Sequence, residues 1–250
     1  MVVTTRIVPQ KPALILEGEK KNLIVSDLHI GFESNFSANK ISLGKNTSTK
    51  ETISEISELI KSEKPDTVIL LGDVKSSIKN ISKNEWDDVP MFFNEIKEMV
   101  EVILVPGNHD ANIQRLVPEG VTMISSTGLV IDNVLLTHGH TMPSENFAHV
   151  DKIIMGHVHP VFFSEESVLN GQRVWVSLKA EKQNIFPSSN GEIEITIIPS
   201  FNRYFYATHR NKFKKSISPI IQKIKEVSAA RIVTLDGTII GDESNIKEVI

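Results

Sequence analysis

The sequence predicts an α/β fold, and three observations support this. Short runs rich in Val and Ile recur at 23–25, 68–71, 102–105, 134–136 and 153–155, bounded by Gly, Asn or other polar residues. Runs of that length and composition read as buried strands. In the first half they alternate with segments of helical periodicity, the pattern of a parallel sheet. After Glu119 the strands become short and helices few. A mixed sheet, or two packed sheets with outer helices, accounts for both halves.

The elements follow in order. Residues 13–16 and 23–25 flank Gly18-Glu19-Lys20, which predicts an opening hairpin. Residues 31–50 are polar and predict a loop that overhangs the site. Thr49 or a nearby hydroxyl is expected to cap a helix running to about residue 64. Ile53, Ile56, Leu59 and Ile60 form its apolar stripe, and Pro65 stops it before the strand at 68–71. A second helix is expected over 86–100, where Val89, Phe92, Phe93, Ile96 and Val100 share a face, followed by the strand at 102–105. Short strands are expected at 121–124, 129–131, 134–136, 173–178 and 193–198. Residues 216–229 read as a helix. Residues 231–235 and 238–240 flank Asp236-Gly237, a two-residue hairpin signal. The chain reads as a single domain, with a motif-bearing core at about 13–200 and an extension, 201–250, that rejoins the sheet.

Composition narrows the class. The chain has 250 residues and a formal net charge of −4. At this size it buries about three-quarters of its unfolded surface and needs no disulfide staples. It has no cysteine, which suits a reducing compartment and removes thiolate from the available metal ligands. Residues 1–12 have neither a long apolar core nor a small-residue cleavage site. No apolar stretch approaches the roughly 18 residues of a membrane span. A cytoplasmic protein without a membrane partner is expected. Nothing in the sequence identifies a protein partner.

Five polar motifs carry the functional signal. Each follows an apolar run: Asp27-Leu-His29, Gly72-Asp73, Gly107-Asn108-His109-Asp110, His138-Gly139-His140 and Gly156-His157-Val158-His159. Ligand-type residues past the C-terminal ends of strands are where open α/β sheets gather their sites. Alone, each motif is an ordinary turn or strand end. Together they offer Asp27, His29, Asp73, Asn108, His138, His157 and His159, a set suited to two divalent cations roughly 3.5–4 Å apart. A bridging carboxylate offsets the repulsion of two dications, and a neutral amide completes the set without excess charge. In strand-like segments Asp27 and His29 would share a side, as would His157 and His159. Two cations also lower the pKa of water, which makes hydroxide available as a nucleophile. His109 is then free to protonate a leaving oxygen, with Asp110 orienting its imidazole.

These residues resemble the calcineurin-like metallophosphoesterase superfamily, whose pattern is D-x-H, G-D, G-N-H-D, H and G-H-x-H in this order. The match runs from about Ser26 to Pro160. The resemblance implies a four-layer αββα sandwich of two mixed sheets flanked by helices. It places Asp27, His29, Asp73 and His159 on one metal. It places Asp73, Asn108, His138 and His157 on the other, with Asp73 bridging and His109 as the acid supported by Asp110. Val25-Ser-Asp-Leu-His-Ile-Gly31 and Leu71-Gly-Asp-Val-Lys75 are similar to small predicted phosphoesterases related to the SbcD nucleases, as are Pro199-Ser-Phe-Asn202 and Leu235-Asp-Gly-Thr238. Protein Ser/Thr phosphatases instead carry G-D-x-x-D-R-G and G-N-H-E; here Asp73 runs into Val74-Lys75-Ser76-Ser77. The chain is also too short for the capping regions of true SbcD nucleases.

The expected activity is therefore hydrolysis of a phosphodiester or phosphomonoester, with a nucleotide or nucleic acid as the favoured substrate. Mn²⁺ is the preferred metal, with Fe, Zn, Ni or Mg compatible with the same donors. Lys75, His140 and Arg210 are the candidate substrate contacts. Arg210 sits in a tail, 203–225, that mixes Arg and Lys with Tyr204, Phe205, Tyr206 and Phe213 and has no Asp or Glu. Basic residues among aromatics suit single-stranded nucleic acid, although overall acidity opposes broad DNA affinity. The alternative from another class is a non-catalytic scaffold on the same fold. A lipid-linked pyrophosphate hydrolase would need an amphipathic membrane-facing stretch that the sequence does not show.

Overall fold

The computed structural model describes residues 3–33, 46–164, 167–204 and 218–250. The chain opens with strands β1 (Thr4–Ile7), β2 (Leu14–Glu17) and β3 (Lys21–Val25), the last two forming the expected hairpin. Helix α1 (Thr47–Glu63) leads to β4 (Thr67–Leu71), and helix α2 (Lys83–Lys97) leads to β5 (Glu101–Val105) and β6 (Val121–Met123). These six strands form one sheet in the order β1-β2-β3-β4-β5-β6, with β3 to β6 parallel. The second sheet is built from β7 (Leu129–Ile131), β8 (Val134–Thr137), β9 (Lys152–Met155), β10 (Val161–Phe162), β11 (Gln172–Glu181), β12 (Glu192–Ile197), β13 (Val227–Thr234) and β14 (Ile239–Gly241). Its order is β14-β13-β11-β12-β9-β8-β7, with β10 paired to β11. Only β8, β9 and β12 run parallel there.

Side chains alternate between faces along each strand, and that alternation builds the layers. Leu23, Val25, Val68, Leu70, Val102 and Leu104 face α1 and α2, against Ile56, Leu59, Phe92, Phe93 and Ile96. Their neighbours Ile24, Ile69, Leu71 and Val105 turn the other way and meet Val134, Leu136, Ile154 and Trp175 of the second sheet. The outer face of that sheet, with Ile153, Met155, Val176, Ile195 and Ile197, is covered by Phe186, Ile220 and Val249. The result is a helix–sheet–sheet–helix stack, an αββα arrangement. Among the described residues the fourth layer consists of short 3₁₀ turns and the five-residue helix α3 (Pro219–Lys223), not of long helices. Among the described residues no helix is long and apolar enough to cross a membrane.

Three expectations are corrected. Helix α2 starts three residues earlier than periodicity suggested, because Ser82 and Glu85 form a capping box. The start of α1 falls at Thr47 after a left-handed Asn46, so Thr49 lies inside the helix and does not cap it. The helix expected over 216–229 reduces, among the described residues, to α3. Residues from Val227 onward pair with β11 instead, and the seven-position ladder from Val174 to Ala180 outweighs local helical preference. Most of the 31–50 loop and the basic stretch 205–217, Arg210 included, lie outside the described residues.

Candidate metal centre

The parallel strands set the site. β3, β4 and β5 of the first sheet, and β8 and β9 of the second, all end at one edge of the sandwich. The segments just past them carry Asp27 and His29, Asp73, Asn108 and His109, His138 and His140, and His157 and His159. The two sheets thus contribute from opposite sides of a shared seam.

Strand alternation does not bring Asp27 beside His29, as the sequence had suggested. The segments past the strands are kinked: Asp27, His29, Asp73, His157 and His159 all have φ between 44° and 67°. Left-handed backbone is costly for residues with a Cβ, about 1–3 kcal/mol each, so something must hold it. Backbone lacing does part of this work, with Asp27 N–H donating to Gly72 O at 3.1 Å, His29 N–H to Asp73 O at 2.9 Å and Ile30 N–H to Val74 O at 2.8 Å. The segment after β12 adds further support at Asp27 and its neighbours. Ser200 Oγ donates to Asp27 O at 3.0 Å, Asn202 Nδ2 to Leu28 O at 3.0 Å and Phe201 N–H to Ser26 O at 2.9 Å. Arg173 Nη1 in turn holds the carbonyls of Ser200 and Phe201 at 2.7 and 2.9 Å. Sequence reasoning assigned Ser200 and Asn202 no role. Their signal was two polar residues flanking Phe201 soon after an apolar strand.

Close approach of the segments depends on two glycines. A Cβ on Gly107 would overlap the Asp73 carboxylate, and one on Gly156 would overlap Ser26 Oγ and Asp27. Both positions are therefore closed to larger residues without displacing a candidate ligand.

Donor atoms converge in two groups. One atom each from Asp27, His29, Asp73 and His159 lie within 4.8 Å of one another, as do those from Asp73, His138 and His157, and Asp73 belongs to both groups. His29 Nε2 and His159 Nε2 are 3.4 Å apart, and His159 Nε2 lies 2.9 Å from Asp27 Oδ1. His138 Nε2 is 3.3 Å from Asp73 Oδ2 and 3.2 Å from Asn108 Oδ1. His138 Nδ1 faces Leu71 O at 2.7 Å, which fixes Nδ1–H and leaves Nε2 to face the cluster. These imidazole nitrogens and carboxylate oxygens, most of them buried, fit divalent cations.

The electrostatics follow from burial and mutual charge. Burial alone would raise the Asp27 carboxyl, but His159 and His138 hold it down at about 2. Asp73 is held well below the ordinary range by His138 and His29 against the same burial. Burial opposes a charged His138, yet Asp73 and Asp27 raise it to about 9. Burial and the neighbouring His138 depress His157 to about 3 and His140 to about 4.

The remaining candidates separate. His109 Nε2 lies 3.8 Å from Asp73 Oδ2, at the edge of the cluster. Its Nδ1 faces the carbonyl of Ser76, not Asp110. The Asp110 carboxylate accepts from Gly107 N–H at 2.8 Å, Val74 N–H at 2.9 Å and Lys75 N–H at 3.2 Å. Asp110 therefore ties the loops after β4 and β5 together, which corrects the expectation that it grips the imidazole. Lys75 is also corrected as a substrate contact. It is fully buried, and its ammonium donates to the carbonyls of Ser77 and Asn80. His140 stands beside the cluster, its ring 5.2 Å from His138 and 6.1 Å from His157.

A family model described as calcineurin-like phosphoesterase matches residues 21–185. Among solved structures, the nuclease MPE of Pseudomonas putida aligns with a TM-score of 0.50 at 16% identity, over 93% of this chain and 98% of that one. The phosphoesterase YfcE of E. coli aligns at 17% identity with a TM-score of 0.38, over 88% of this chain and 97% of that one. No curated protein sequence gives a significant match.

Proposed function

The chain belongs to the calcineurin-like phosphoesterase family, and from that premise we propose that it is a binuclear phosphoesterase acting on a nucleotide or nucleic acid. Hydrolysis of phosphoester bonds follows from the family. The two-cation reading rests on one observation, two convergent donor groups that share Asp73. Asp27, His29, Asp73 and His159 would hold one cation, and Asp73, Asn108, His138 and His157 the other. When bound, such cations supply Lewis acidity and a water of lowered pKa. His109 would donate a proton from Nε2 to the leaving oxygen, and His140 would contact substrate from the His138 side. Mn²⁺ is the metal we favour for an oxygen and imidazole donor set, with Fe, Zn, Ni or Mg compatible. The P. putida neighbour is a nuclease, which makes nucleic acid the first substrate to try. A cytoplasmic setting suits a chain without cysteine.

The test is turnover of bis-p-nitrophenyl phosphate and of single-stranded oligonucleotides with added Mn²⁺. Turnover should vanish in Asp73→Ala and fall by about a hundredfold or more in His109→Ala. Failure to hydrolyse any ester with any of the five metals would sink the reading.

A further inference from the structure

The Asp110 carboxylate, next in sequence to His109, is bonded to backbone amides. His109 Nδ1 faces the backbone carbonyl of Ser76. A carbonyl only accepts, so Nδ1 carries the hydrogen and Nε2, 3.8 Å from Asp73, is the nitrogen that exchanges protons with substrate. The direction of that carbonyl depends on the turn it belongs to. Glu85, fully buried in the first turn of α2, reaches out of its helix to that turn. Its Oε1 accepts from Ser76 N–H at 2.9 Å and Ser77 N–H at 2.6 Å, and its Oε2 accepts from Ser82 N–H at 2.6 Å. Gly31 leaves it room, since a Cβ there would come within 2.7 Å of Glu85 Cγ. Buried Lys75 secures the far side of the same turn through the carbonyls of Ser77 and Asn80.

We propose that Glu85 is a positioning residue for His109: its carboxylate pins the amides of Ser76 and Ser77, so that the Ser76 carbonyl holds His109 Nδ1–H and directs Nε2 at the reacting ester. The capping box alone would need only the bonds to Ser82. The two further amides extend the same carboxylate from helix α2 to the acid. This rests on the acid role proposed for His109, but the ring's tautomer can be read without catalysis.

The experiment uses the full chain. In nitrogen-15 correlation spectra of the metal-free protein, neutral His109 should show the Nδ1–H form. Glu85→Ala should move it toward the Nε2–H form usual for free histidine. In the Mn²⁺-loaded protein the same variant should lose about ten- to hundredfold in kcat on a phenyl ester, which needs an acid, and much less on a p-nitrophenyl ester. Metal content and KM should be unchanged. Glu85→Gln offers one acceptor oxygen where the carboxylate has two, and should give the same change in smaller measure if the Ala variant does not fold. Ser82→Ala weakens the cap without touching the turn; it should lower Tm and leave the His109 form and the leaving-group dependence as they are. The proposal is overturned if folded Glu85 variants keep the Nδ1–H form and the leaving-group dependence, or if Ser82→Ala changes both as Glu85→Ala does. Absent turnover with an intact tautomer response would count against the catalytic reading alone.

Discussion

The two donor groups share Asp73 but are built differently. The first draws Asp27, His29 and Asp73 from the first sheet and only His159 from the second, and it has two carboxylates. The second joins Asp73 to His138 and His157 of the second sheet and has one carboxylate, with the neutral Asn108 beside it. Both groups include left-handed residues, and in the first the kinked segment of Asp27 and His29 is clamped by Ser200 and Asn202. In the second, His138 is fixed through its own ring, by Nδ1 against Leu71 O. Neighbouring sites on one fold can therefore differ in charge and in what holds them, and cations at the two are expected to differ in affinity.

Breaking the shared element should have the largest effect. Asp73→Ala should remove both metals, seen as near-zero metal content by mass spectrometry, and cut kcat by more than about a hundredfold. Breaking one side should then separate the groups. His138→Ala should keep about one tightly held metal per chain, whereas Asp27→Asn, which takes a charge from the richer group, should release metal to a weaker chelator. Equal retention in the two variants would show that the charge difference does not set affinity.

Acidity sharpens the contrast. In the metal-free chain His138 titrates near 9, so at pH 7 a cation at the second group must displace its proton. Affinity there should rise up to about tenfold per pH unit until pH 9, with buffer-dependent heats of binding that report proton release. His29, depressed by burial, should release no such proton. The sign for stability follows from the raised value. The folded chain holds the His138 proton more tightly than the unfolded chain, whose ordinary value is 6.5. That contribution is complete below about pH 6.5 and is lost as pH rises through about 9. The smallest effect is expected from Asn202→Ala, which frees the carbonyls of Leu28 and His29. It should cost about 1–2 kcal/mol in urea unfolding and weaken the first group by about tenfold while sparing the second.

Much of this site was legible because parallel strands are short, apolar and end abruptly. Val68 to Leu71 and Ile153 to Met155 announce themselves by composition, and the second residue after each, Asp73 and His157, becomes a site position. The division into two sheets followed from the family resemblance and not from local pattern, because nothing local says whether β7 to β14 pair with β6 or turn away. The roles of Asp110, Lys75 and Ser76 were not legible either. Each depends on a backbone amide or carbonyl, and backbone partners leave no mark in side-chain spacing. The same is true of the left-handed turns, since Asp and His give little sign of where the chain kinks.

Those kinks have a consequence for how the protein can change. Asp27, His29, Asp73, His157 and His159 occupy backbone that glycine would adopt freely. Replacing one of them by glycine would delete a donor and release strain, by something on the order of 1 kcal/mol per position. Asp27 and Asp73 also accept N–H bonds from His157 and His109, so glycine there would orphan an amide and offset the relief. At His29, His157 and His159 the relief opposes keeping a donor, and continued use of the chemistry is what retains it.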